Sequence, residues 1–154
     1  LRITLLCVGR LGTAPEAMLA GDWARRAGQI GRAHGLHPVE IVEVEAKKAG
    51  KVAEGEALLR RAEDAYLIAC DEHGEAMTSR DFAAILARLR DDGTARLAFA
   101  IGGADGLDAA ISTRARRKIA FGPQTWPHAL ARAMLAEQLY RAASLMAGQP
   151  YHRD

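Results

Sequence analysis

At 154 residues the chain is sized for a single domain, 1–154, with a core of its own. Apolar residues make up 49% and charged residues 26%; no apolar run approaches the ~20 residues that cross a bilayer. A net charge of +2 excludes the strongly basic domain that binds nucleic acid by bulk charge. The Lys and Arg clusters at 47–51, Arg25–Arg26 and 114–118 are read first as solvated faces.

Residues 2–9, RITLLCVG, are β-branched and apolar and read as a buried strand. No small-residue cleavage site follows, which argues against a signal peptide. A helix is expected from about Pro15 to His34, with Pro15 suited to its first turn. PVEIVEV, 38–44, alternates apolar and charged residues and reads as a strand with one wet face. A lysine-rich loop leads to a helix over 52–63, then to a third strand, AYLIAC, 65–70. DEHGEAMTS is read as a loop, with Ser79 capping a helix that runs to about Arg90. ARLAFAIGG is a fourth, wholly apolar strand, followed by a short helix near Leu107–Arg116 and a brief strand KIAF. After GPQTWP, Pro127 opens the last long helix, to about Met146, before the tail PYHRD. That helix has apolar residues on more than one side, so it is expected to pack on the sheet and on a second subunit. Glu137 and Arg141 are spaced to pair along it.

Strands alternating with helices indicate an α/β fold, a mostly parallel sheet covered by helices on both faces. Ligands on such sheets bind beyond the carboxyl ends of the strands. Three loops leave those ends in the second half: DEHG after Cys70, GGADG after Ile101 and GPQTWP after Phe121. Cys7 and Cys70 lack the close Cys or His partners of a metal site. They read as buried, reduced thiols of a cytosolic protein, with a disulfide as the alternative.

GGADG matches neither the dinucleotide fingerprint nor the phosphate loop, and no Lys follows it. Asp105 and Asp108 would repel a triphosphate, where a phosphate loop offers bare N–H groups and positive charge. The loop is either a tight turn or a seat for a ligand with few phosphates. S-adenosyl-L-methionine fits the latter, being an adenosine with a cationic sulfonium and no phosphate. GPQTWP is stiffened by its prolines; it either presents main chain to a flat base or is a plain connection with Trp126 in the core.

IGGADGL, TWPHALARAMLAEQLYRA and the terminal PYHRD, in that order and spacing, resemble the ribosomal RNA large subunit methyltransferase H family of the SPOUT superfamily. The likeness extends over essentially the whole chain. The resemblance implies a C-terminal trefoil knot, a homodimer with the site at the subunit interface, and a cytoplasmic location. It implies methyl transfer from S-adenosyl-L-methionine, without a metal, to N3 of a pseudouridine in 23S rRNA on the assembled large subunit or 70S ribosome. By position, the donor site takes Cys70, Gly102, Gly103, Gly122, Pro123, Gln124, Thr125, Trp126 and Pro127. The chain departs from the family pattern at Cys70, often Leu, and in having GGADG and GPQTWP where GGPEG and a more apolar run are usual.

For the reaction itself the resemblance points to the tail. His152 is placed to take the N3 proton near neutral pH. Arg153 is placed to stabilise the anionic base or hold a phosphate, and Tyr151 to stack on the base or hydrogen-bond to it. His128 is a second polar candidate and, by itself, reads as structural. Two rival readings stand beside this one. They are a nucleotide-binding enzyme of another class, opposed by Asp105, and a non-catalytic RNA- or ribosome-binding module, opposed by the intact tail.

Overall fold

The computed structural model describes residues 1–152. Its elements in chain order are β1 (Arg2–Val8), α1 (Pro15–Gly31), β2 (Val39–Val44), α2 (Lys51–Ala62), β3 (Tyr66–Ala76), α3 (Ser79–Asp91), β4 (Arg96–Ile101), α4 (Ala109–Arg114), β5 (Arg117–Ala120) and α5 (His128–Met146). The helix expected to reach His34 leaves α geometry after Gly31 and finishes as a 3-10 turn.

The five strands are all parallel, in the order β2-β1-β4-β3-β5. The inner strands lack a polar alternation because both of their faces are covered. Ile3, Leu5 and Phe99 pack in one layer with α1, α3 and α5. Leu6, Val8, Ala98 and Ala100 pack in the other with α2 and α4. The chain moves across the sheet one way behind one face and the other way behind the other. That is what one crossover hand requires. β4 is inserted inside β3 rather than added beyond it, an order consistent with the knot that the resemblance implies.

Other boundaries also differ from expectation. β3 does not stop at Cys70; it bulges over Asp71–Gly74 and returns to pair Glu75 and Ala76 with β5. Gly74 permits this, since a Cβ there would lie 2.6 Å from the Ile119 main chain. The cap of α3 is Thr78, not Ser79: its hydroxyl accepts the Asp81 N–H at 3.1 Å, and the Asp81 carboxylate reaches back to the Thr78 N–H at 3.3 Å. Ser79 is instead the first helical residue and donates to Gln138 Oε1 at 2.7 Å, tying α3 to α5. α4 is shorter than expected because Asp108 caps it, accepting the Ala110 N–H at 3.2 Å.

The cysteine alternatives also separate. Cys7 and Cys70 both pair with Ile101, from opposite sides. Two strand spacings, about 9.6 Å, lie between them; a disulfide reaches ~7 Å at most between Cα atoms. Both are free thiols.

Candidate functional site

The carboxyl ends of β3, β4 and β5 converge on a cavity of about 770 Å³. The three expected loops form its wall, joined by Lys51 from the start of α2 and by His128 and Ala131 from α5. Of the expected donor residues, Cys70, Gly102, Gly103, Gln124, Thr125, Trp126 and Pro127 line it. Gly122 faces a second, smaller cavity. Pro123 is exposed and borders neither.

The GGADG loop is a tight turn, and its main chain also borders the cavity. Gly106 N–H donates to Gly103 O at 3.0 Å, and Gly106 has a φ of 78°. Gly102 has to be glycine for the turn to close: a Cβ would stand 2.6 Å from the Gly106 carbonyl. Asp105 lines the cavity, whereas Asp108 faces its own helix cap.

The GPQTWP loop turns at Gly122, with φ 89°. Trp126 is 36% exposed, so it is not a core residue. Its indole N–H donates to Phe121 O at 2.9 Å and bridges the two ends of the loop. Thr125 donates its hydroxyl to Glu72 Oε2 at 2.7 Å and joins this loop to the bulge in β3. The bulge adds Asp71, Glu72 and His73 to the wall. None of the three was singled out from sequence, although the strand end that carries them was. Lys51 was read only as part of the 47–51 basic cluster, because nothing local links the start of α2 to the glycine loop.

The cavity thus holds three carboxylates, Asp71, Glu72 and Asp105, against Lys51 and two histidines. Such a wall suits a ligand with a cationic centre better than a polyphosphate. Burial pushes the Cys70 thiol up, with Cys7 and Asp71 adding to the effect. It is protonated at neutral pH and is packing rather than a nucleophile. Among the described residues no group of three or more His, Cys, Asp or Glu is placed to hold a metal.

Behind the cavity, Arg132 of α5 is 2% exposed. It donates to Glu43 Oε1 at 2.7 Å and to Gly9 O at 3.2 Å. The same carboxylate oxygen accepts the Leu11 N–H at 3.3 Å. One guanidinium therefore ties α5 to the ends of β1 and β2. The hydrogen bond from Arg132 holds the Glu43 carboxyl below its ordinary range. Burial pushes the neighbouring Cys7 thiol up to about 12.

Tyr151 and His152 lie elsewhere on their own chain. Tyr151 donates its hydroxyl to Glu137 Oε1 at 2.9 Å. Its ring packs edge-on to Tyr140 and beside Trp23, with the Arg141 guanidinium 4.8 Å from its centroid. Burial, then the Glu137 hydrogen bond, raises the phenol above its ordinary value. The expected Glu137–Arg141 pair is present, and its hydrogen bond raises Arg141 in turn. His152 is half-buried and its Nδ1 is enclosed without a partner. Neither Tyr151 nor His152 borders the 770 Å³ cavity of its own chain. Arg153 lies outside the described residues.

A family profile described as "Predicted SPOUT methyltransferase" matches residues 1–152. The chain belongs to the SPOUT methyltransferase family. Two relatives called Ribosomal RNA large subunit methyltransferase H, from Caulobacter sp. (strain K31) and Caulobacter vibrioides (strain ATCC 19089 / CIP 103742 / CB 15), are 63% and 62% identical to it over 154 residues. They match 100% of this chain and 100% and 99% of their own. A solved structure, a probable methylase family protein from Haemophilus influenzae Rd KW20, superposes with a TM-score of 0.55 at 13% identity. The match covers 99% of this chain and 70% of that one. At that identity the likeness speaks to the fold alone. The strand-end cavity sits where open α/β sheets bind ligands.

Proposed function

We propose that this SPOUT protein transfers a methyl group from S-adenosyl-L-methionine to N3 of a pseudouridine in large-subunit (23S) rRNA. It acts as a cytoplasmic homodimer on the assembled large subunit or 70S ribosome. The observation that carries the reading is the full-length identity of over 60% to relatives called Ribosomal RNA large subunit methyltransferase H. The cavity supports it. Bare main chain at Gly102–Gly103 suits an adenosine, and the three carboxylates suit a sulfonium and an ammonium group.

The donor is a substrate, held by the three loops around Cys70, Gly102, Gly103 and the 122–127 segment. The imide N3 attacks the sulfonium methyl in line, the C–S bond breaks, and S-adenosylhomocysteine leaves as a neutral thioether. Alignment of the two reactants is the largest contribution open to the protein. The N3 proton goes to a base, for which His152 is the candidate, and Arg153 stabilises the developing negative charge on the base.

Tyr151 is held on α1 and α5, away from the cavity of its own chain. The reading therefore needs the tail of a second copy at each cavity. An apolar groove of about 450 Å³ between α1, α3 and α5 is a suitable contact face. Met18 and Leu19 lie exposed on α1.

Ribosomes lacking the modification, incubated with labelled methyl donor and then mapped by mass spectrometry, test the reading. Removal of residues 151–154 is expected to abolish transfer and leave donor binding within about threefold, since binding and chemistry then reside on different segments. Calorimetric binding of ATP or NAD in preference to S-adenosyl-L-methionine, or donor binding without transfer to any ribosome, refutes it.

A further inference from the structure

Helix α2 is absent from every motif so far connected with the site, yet its first turn is fastened to the glycine loop. Lys51 lines the cavity. A Cβ on Gly103 would lie 3.3 Å from Glu54 Oε2 and 3.5 Å from Oε1, so the Glu54 carboxylate rests against the loop main chain. The next residue, Gly55, is packed against the far end of the same loop. A Cβ there would stand 2.9 Å from Asp108 Cβ.

Glu54 Oε2 is enclosed and has no hydrogen-bond partner. It is the only carboxylate oxygen in that condition among the described residues. An enclosed, unpaired carboxylate oxygen is costly, because it has left water and gained nothing. Donors are close in the chain. Ala104 and Asp105 are exposed, and among the described residues no protein group accepts from their N–H groups. The loop carrying those groups borders the cavity on its other side. An enclosed acceptor without a donor therefore stands against a loop whose main-chain donors face solvent.

We propose that Glu54 is a positioning residue of the methyl-donor site: when the 103–105 segment closes on the bound donor, Glu54 Oε2 accepts one of its main-chain N–H groups. Closure then gives the enclosed Glu54 oxygen its donor and holds the Gly103 main chain at the ligand. The inference rests on the reading of the glycine loop as the donor seat.

A merely structural glutamate would stabilise the protein whether or not the donor is bound. An acceptor that waits for closure does the opposite in the free protein. In the full chain, Glu54→Leu is expected to leave the melting temperature without donor unchanged or higher. The Kd for S-adenosyl-L-methionine should rise about tenfold, the change set by loss of one hydrogen bond to a charged acceptor. KM for the donor should rise with it, and kcat at saturating donor should stay within about twofold. Glu54→Gln, which keeps an acceptor oxygen, should recover most of the affinity. In the wild-type protein, amide exchange at 103–105 should slow on donor addition.

A lower melting temperature with unchanged Kd would overturn the proposal, as would equal losses in the Gln and Leu variants. So would unaltered exchange at 103–105 when the wild-type protein is saturated, a test that needs no variant to fold. Failure of the wild-type protein to bind the donor would defeat the site reading itself, and the assignment of Glu54 with it.

Discussion

Arg132 carries a full charge into a place that is 2% exposed, and its partner Glu43 keeps a third of its side chain in water. Removing one partner of a buried pair strands the other and costs about 3–5 kcal/mol. Glu43 can rehydrate, so Arg132→Met is expected near the lower end, about 3 kcal/mol by urea unfolding. The pair also sets a pH dependence. The Glu43 carboxyl is held low by Arg132 when folded, so the unfolded chain takes up its proton more readily. The stabilisation is present above the ordinary glutamate value, about 4.3, and is lost as pH falls through the lowered folded value. Melting temperature followed from pH 6 downward should fall less steeply at the acid end in Glu43→Gln than in the wild-type protein. The thiols make a separate forecast. With both pushed up by burial, iodoacetamide at pH 8 should leave Cys7 and Cys70 unmodified in the folded protein and label both in urea.

At the level of elements, the site depends on how strand ends turn. Gly102 admits no side chain, since the Gly106 carbonyl would be 2.6 Å from a Cβ. Gly102→Ala must shift the loop, and donor affinity is expected to fall at least tenfold by calorimetry, more than about 1.4 kcal/mol. α3 is started by a reciprocal cap between Thr78 and Asp81. Thr78→Ala should cost about 1 kcal/mol in denaturant unfolding, without a change in donor Kd. The cap was legible only to within one residue. A Thr-Ser pair offers two hydroxyls, and the choice depends on which backbone is extended and on Gln138 of α5, which takes the second. The β3 bulge was read as a loop for a similar reason. Its residues are polar, and only pairing with β5 makes Glu75 and Ala76 a strand.

Across the whole molecule, α1 and α5 lie side by side. Arg26 is sandwiched near Trp23 and Tyr140, 4.5 and 4.4 Å from their centroids, and Tyr151 closes the cluster. This arrangement holds Tyr151 away from the cavity of its own chain. Placing charge on the exposed α1 face, Met18→Asp with Leu19→Asp, should give a monomer by light scattering. Donor binding should persist and methyl transfer to ribosomes should be lost, because the tail and the cavity would no longer meet. The basic clusters are less free than their sequence suggests. Arg25 pairs with Asp22, Arg114 donates to the carbonyls of Glu63 and Ala65, and Arg117 pairs with Glu75.

Read by itself, the sequence determined the alternation of strands and helices, the sheet covered on both faces, and the three strand-end loops that meet at the cavity. Those features depend on apolar periodicity and on glycine and proline, which act within a few residues along the chain. The motif likeness in the last third added the family. Strand order, the anchoring of Tyr151 on Glu137, the bridge from Arg132 to Glu43 and the placing of Glu54 behind Gly103 were decided only by tertiary structure. Each joins residues 14 to 94 positions apart. Local pattern reports whether a side chain is buried, but not which distant main chain or charge is folded against it.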